Sequence, residues 1–265
     1  MPQTPHDRLV LHKLVYELRY DRGYTFLDRC GATVNEILRS NPGWEFMGAG
    51  TQQGTLRHLD KEIDFSFGTL KLDLSQELST DVETLVPIEE FAELAAKLTT
   101  TVVESLELRE FNRIGFRMWH LLGRNTFESA KETIRNKGLV ATDKVLGKDV
   151  GEVDQVSCVI VATREKCSTR IAFAPVEQNI HVDAATVRQA KSVPHRLSSD
   201  QKQATIEMIK AQRRVRTYPQ FAVLVDTDHF LEDPPYPEHL DIASDFLVPN
   251  YEWSREFAAR IMGDA

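Results

Sequence analysis

Arg113-Ile114-Gly115-Phe116-Arg117-Met118-Trp119-His120-Leu121-Leu122 is the stretch on which the reading of this chain turns. Its β-branched and aromatic content makes it a strand. Successive side chains of a strand point to opposite faces, so Arg113, Gly115 and Arg117 share one face and His120 lies on the other. A long amphipathic helical pattern precedes this strand and a shorter one follows it. It therefore stands at the joint between two halves of the chain.

Upstream, Leu14, Tyr16, Leu18 and Tyr20 alternate with polar residues as a half-buried strand does. Phe26, Leu27, Cys30, Val34, Ile37 and Leu38 then fall on one helical stripe, which Asn41-Pro42-Gly43 ends. Ile63, Phe65 and Phe67 alternate on odd positions, and Leu70, Leu72 and Leu74 on even ones. A strand cannot change phase without a turn or bulge, so Gly68-Thr69 predicts a hairpin or a kinked strand pair. Pro87 with Glu89 and Glu90 starts a long helix whose stripe runs Phe91, Leu94, Ala95, Leu98, Val102, Leu106. Downstream, Asn125 caps a short helix that Lys137-Gly138 closes.

The second half predicts strands over 156–163 and 169–176 around the charged turn Arg164-Glu165-Lys166. A helix follows from Ser198-Ser199-Asp200, and Phe221–Val225 is a buried strand. Asp233-Pro234-Pro235-Tyr236-Pro237 makes a loop, and Trp253, Phe257 and Ile261 mark a closing helix. The resulting order is β-α-β-β-α-β, then α-β-β-α-β-α. That predicts an α+β fold of two similar halves, each a small, largely antiparallel sheet with helices on one face. The halves divide as residues 1–123 and 124–265, or together form one compact unit. Thr25-Phe26 and Thr126-Phe127, each opening a helix after a strand, hint at duplication.

Composition sets the class. The chain has 265 residues, 42% hydrophobic and 27% charged, as an ordinary globular protein does. Its net charge of -8 disfavours non-specific adhesion to nucleic acid or anionic membrane. Three cysteines cannot all pair, no Cys-x-x-Cys occurs, and no apolar run approaches a membrane span. The expectation is a cytoplasmic protein with reduced thiols and no membrane association.

Three groups of residues could carry chemistry. Asp226, Asp228 and His229, just after the buried strand, offer oxygen and imidazole ligands for magnesium or manganese. The structural alternative is an Asx-turn with His229 in solvent. Arg113 and Arg117, with the space left by Gly115, could grip a carboxylate or phosphate. Otherwise they pair with acidic residues such as Glu62 or Asp64 on neighbouring strands. From Arg188 to Arg216, eight basic residues (Arg188, Lys191, Arg196, Lys202, Lys210, Arg213, Arg214, Arg216) face only Asp200 and Glu207. This is a surface for nucleic acid or an acidic partner, or a solvated face that balances the acidic remainder. Phosphate-loop, dinucleotide, zinc-protease and serine-hydrolase fingerprints are absent, and no cofactor is expected.

The chain resembles a sporadically distributed bacterial family of uncharacterised proteins of about this length. The resemblance rests on the Arg-hydrophobic-Gly-hydrophobic-Arg strand at 113–117, on the Asp-x-Asp segment at 225–230, and on the aromatic closing helix around Trp253 and Phe257. Met118-Trp119-His120 departs from the Tyr-Ile-Asn-like residues usual there. The family carries no established activity, and its scattered distribution implies a mobile, defence or toxin–antitoxin setting. The expectation is a non-enzymatic binding or regulatory protein, homodimeric, acting through protein contacts, with a partner encoded in the same operon. The alternatives are a metal-dependent nuclease or phosphoryl-processing enzyme and a nucleic-acid-binding subunit.

Overall fold

A computed structural model of the protein describes residues 9–78, 84–138, 157–164, 166–177, 219–235 and 240–263. In chain order its elements are β1 (Leu9–Tyr20), α1 (Phe26–Ser40), β2 (Trp44–Ala49), β3 (Gln53–His58), β4 (Ile63–Gly68), β5 (Lys71–Glu77) and α2 (Ile88–Leu106). The second half adds β6 (Phe111–Arg124), α3 (Phe127–Asn136), β7 (Cys158–Arg164), β8 (Cys167–Glu177) and β9 (Phe221–Glu232). A π-helical segment (Ile242–Leu247) then runs into α4 (Val248–Met262).

The strands make one antiparallel nine-stranded sheet in the order β2-β3-β4-β5-β1-β6-β9-β8-β7. The two halves are alike in connectivity: strand, helix, a meander whose last strand returns to the first, then a helix. Exchanging them swaps β1 with β6, β5 with β9, β4 with β8 and β3 with β7. They fuse because β1 and β6 pair at the centre, with Tyr16 opposite Phe116 and Leu18 opposite Ile114. By this connectivity β6 opens the second unit, where the sequence order put it last in the first. Thr25 and Thr126 both stand at N-caps, of α1 and α3, so the shared dipeptide marks equivalent places.

All the described helices pack on one face of the sheet. The Tyr16 hydroxyl of β1 meets Thr99 of α2 at 3.0 Å, and Phe91 of α2 packs on Phe116 of β6. Phe26 of α1 packs edge-on against Phe67 of β4. In the second half Ala130 and Ile134 of α3 join Ala258 and Met262 of α4 over Ile171, Phe173 and Val225. Large apolar side chains at alternate strand positions thus build one layer of core under one layer of helices. Burying each contributes about 1.5–3 kcal/mol.

Several elements differ from the sequence reading for identifiable reasons. Strands β2 and β3 were not expected, because Trp-Glu-Phe-Met-Gly-Ala and Gln-Gly-Thr-Leu-Arg-His carry little β-branched content. The cap of α3 is Thr126 and not Asn125: its hydroxyl accepts from the Ser129 N–H while Ser129 Oγ accepts from the Thr126 N–H. In α4 the buried stripe is Ser254, Ala258 and Met262, one residue on from the expected aromatic one, and Trp253 is exposed. The connection at 147–151 and the expected helix after Ser198 lie outside the described residues. No helix among the described residues is long and apolar enough to cross a membrane.

Candidate functional site

The strand that ends in the sequence reading at Val225 continues to Glu232, pairing β9 with β6 from Arg113 to Arg124. The Asp-Thr-Asp-His segment is therefore mid-strand, and alternation sends its residues to opposite faces. Asp226 and Asp228 lie on the face that bears no described helix. Thr227 and His229 point into the core, where both are buried. The two carboxylates and the imidazole thus do not converge. An Asx-turn with a solvated histidine does not form either. No group of three acidic, histidine or cysteine residues among those described is arranged to hold a metal ion.

On the open face the arginines and carboxylates satisfy each other. Arg117 lies beside Asp226 in a two-pronged contact, Nε donating to Oδ1 at 2.8 Å and Nη2 to Oδ2 at 2.7 Å. Arg170 of β8 adds a third bond to Oδ2 at 3.3 Å. Arg113 donates through Nη2 to both Asp228 oxygens, at 3.0 and 2.8 Å, and through Nη1 to Glu17 of β1 at 2.8 Å. Glu17 also accepts from Arg19 at 2.7 Å and from Lys71 at 3.3 Å. Paired, charge-assisted bonds of this kind are the strong class and fix geometry as well as energy. The partners are Glu17, Asp226 and Asp228; Glu62 and Asp64 pair instead with Arg57.

Gly115 makes this arrangement possible. Arg113 stands opposite Glu232 in register yet reaches Asp228, which is opposite Arg117. Its guanidinium crosses directly over Gly115, where a Cβ would sit 2.6 Å from Nη1, and it stacks on Phe230 with 4.8 Å to the ring centre. Gly115→Ala is expected to push the guanidinium off one carboxylate and cost about 1.5–3 kcal/mol, the worth of one charged hydrogen bond. Urea unfolding of the variant checks this, and an unchanged midpoint would show that Arg113 keeps its bonds.

Charges on the face are tuned accordingly. Burial opposes ionisation of Glu17, but Arg19, Lys71 and Arg113 hold its carboxyl below the usual range. For Asp228, burial outweighs Arg113 and Arg117, so the carboxyl titrates above its ordinary value. The bond to Asp226 holds the Arg117 guanidinium still more firmly charged. A cavity of about 150 Å³ lies over Val15, Glu17, Arg19, Arg113, Gly115, Arg117 and Asp228. That is well under the roughly 300 Å³ at which small-molecule sites begin.

Beside this network the face turns aromatic. Lys13 Nζ sits 4.7 Å and Arg117 5.3 Å from the Trp119 ring centre, and the His12 ring stacks on the same indole. His12 is placed there by a register irregularity in β1 between Leu11 and Lys13. Its Nε2 and Lys13 Nζ both contact Glu77, at 3.0 and 2.6 Å. The His12 hydrogen bond, with that of Lys13, holds the Glu77 carboxyl down at about 2.

The other face has its own polar seam inside the core. His229 Nδ1 meets Thr169 Oγ1 at 2.9 Å and Nε2 meets Ser254 Oγ at 2.7 Å, with Trp253 edge-on at 5.2 Å. His120 is equally buried, and neither of its ring nitrogens has a hydrogen-bond partner among the described residues. Burial pushes both histidines down to about 4, so they are neutral at pH 7.

The structure thus brings Arg113, Arg117, Asp226 and Asp228 together and leaves His229 apart. Arg188, Lys191, Arg196, Lys210, Arg213, Arg214 and Arg216 lie outside the described residues. Sequence reasoning missed Glu17, His12, Lys13 and Arg170. The alternation Lys13, Val15, Glu17, Arg19 in β1 carries the signal for the first strand's share, but the neighbour of that strand was not legible. In comparisons with known proteins, neither a family model nor a curated protein matches the chain.

Proposed function

We propose that the protein is a non-enzymatic binding or regulatory protein that engages another protein through the open face of its sheet. The observation that carries the reading is the mutual saturation of Arg113, Arg117 and Arg170 by Glu17, Asp226 and Asp228. Each of the three carboxylates is held by at least one guanidinium, and Glu17 is held by Arg19 and Lys71 as well. The aspartates are engaged by arginines and so have no free geometry for metal-assisted hydrolysis.

What the face does offer suits a protein partner. Arg117, Trp119, Arg170 and Phe230 are partly exposed on the sheet face that bears no described helix. Arginine and aromatic side chains of this kind dominate the energetics of protein interfaces. A bacterial defence or toxin–antitoxin-like setting, with a partner encoded nearby, belongs to the same proposal and rests on the family resemblance. The test is calorimetric titration of the chain with the purified products of its flanking genes. One is expected to bind, and Trp119→Ala is expected to weaken that binding at least tenfold, with the melting temperature of the free protein held within a few degrees. Absence of binding, binding indifferent to Trp119→Ala, or magnesium-dependent cleavage of nucleic acid that Asp226→Asn abolishes would each overturn the reading.

A further inference from the structure

The two edges of the nine-stranded sheet are built differently. An edge strand presents unpaired N–H and C=O groups that template pairing with another chain, and proteins ordinarily blunt such edges. At one edge β2 is blunted: its register with β3 slips between Phe46 and Gly48, and Gly48 takes a φ of 151°. A bulge of this kind bends the strand and ends regular pairing. At the other edge β7, Cys-Val-Ile-Val-Ala-Thr-Arg, contains no proline, glycine or bulge and pairs with β8 in unbroken register from Cys158 to Arg164. Its centre is apolar and in water: Val159 is 54%, Ile160 45% and Val161 62% exposed.

We infer that β7 is a homodimer interface, in which two copies of the chain join β7 to β7, antiparallel, about a two-fold axis at Val161. Four features select this occupant. First, the row of hydrogen-bonding groups along a regular edge is matched group for group by another strand. Second, the register centred on Val161 pairs all seven residues, placing Ile160 opposite Ala162, Val159 opposite Thr163 and Cys158 opposite Arg164. The one charge of the strand thus faces a thiol and never its own copy, so the strand is self-complementary, as an isologous contact must be. Third, the bulged β2 edge blocks the head-to-tail alternative, β7 on β2, which would propagate into open filaments. Fourth, among the described residues the second core stops short at this edge. Ile160 stands opposite the buried Ile171 on the helix-bearing face, while α3 and α4 cover β8 and β9. Joining two copies brings their Ile160 and Ala162 side chains together and continues that core across the axis.

The dimer contact is made by β7 and the partner-binding face by β6, β8 and β9, with Val161 standing opposite Arg170 where the two meet. Sedimentation velocity of the full chain at micromolar concentration tests it. Wild type is expected to sediment as a dimer. Val161→Lys and Val161→Asp, which oppose like charges across the axis, are each expected to sediment as monomers. An equimolar mixture of the two is expected to restore the dimer, since lysine then meets aspartate. A monomeric wild type, variants that stay dimeric, or a mixture that remains monomeric would overturn it.

Discussion

Shifting the pH from 7 to 4 is expected to remove roughly 6 kcal/mol of unfolding free energy through two buried histidines, about 3 from each, against which the raised carboxyl of Asp228 acts with the opposite sign. His120 and His229 are pushed by burial from 6.5 down to about 4. Between those values the unfolded chain binds a proton at each site and the native chain does not. Protons therefore pull toward the unfolded state, and stability is full above pH 6.5 and falls as the pH drops toward 4. His58, also lowered by burial, adds a loss of the same sign. Glu77 acts lower on the scale: its carboxyl is held at about 2, so its contribution persists to about pH 4.5 and is lost between there and 2. Urea unfolding at pH 7, 6, 5 and 4 measures the profile. A flat curve from pH 6.5 to 4 would mean that both imidazoles take up protons in the fold as readily as in the unfolded chain, and half the predicted loss would mean that one does.

His120 also provides the control. Both its nitrogens are buried without partners among the described residues, a desolvation cost of about 1–3 kcal/mol. His120→Leu is expected to recover about 1–2 kcal/mol at pH 7 and to remove that residue's share of the acid loss. His229→Leu differs, because it strands the buried Ser254 hydroxyl and takes a partner from the part-buried Thr169. The two variants should therefore move stability in opposite directions at pH 7 while both flatten the acid limb.

Replacing Arg113 by methionine is expected to cost about 3 kcal/mol at pH 7. The methionine keeps the apolar stem over Phe230 but removes the charge between Glu17 and Asp228. Both carboxylates are more than four-fifths buried as side chains, at 14% and 18% exposed, and lose the guanidinium they share. Asp228, already displaced upward by burial, is expected to titrate higher still once the guanidinium beside it is gone. Arg117→Met should cost less, because its side chain is 43% exposed and Asp226 keeps Arg170. Equal losses in the two variants would argue against the central place given to Arg113.

Much of this was legible in the sequence. Alternation in β1, β4, β5 and β6 and the stripe of α2 predict the core layer and the antiparallel hairpin, because apolar periodicity reports burial directly. The face shared by Arg113, Gly115 and Arg117, and the space left by the glycine, follow from strand geometry alone. What sequence reasoning could not reach was strand order. Whether Arg113 meets Glu17, or Glu62 and Asp64, depends on β1 lying next to β6, a pairing between residues about a hundred positions apart. Asp226 to His229 misled for another reason: polar residues inside a central strand look like its end, unless arginines on the neighbour are known to neutralise them.

A double-mutant cycle on Arg113 and Asp228, by urea unfolding at pH 7, tests the central claim that these groups serve each other. Arg113→Met, Asp228→Asn and the double variant are compared with wild type. The predicted coupling is about 2 kcal/mol, incomplete because Glu17 still holds Arg113 when Asp228 is neutral. Single losses that add to within about 0.5 kcal/mol would contradict the account and return the two arginines to the role of an open anion clamp.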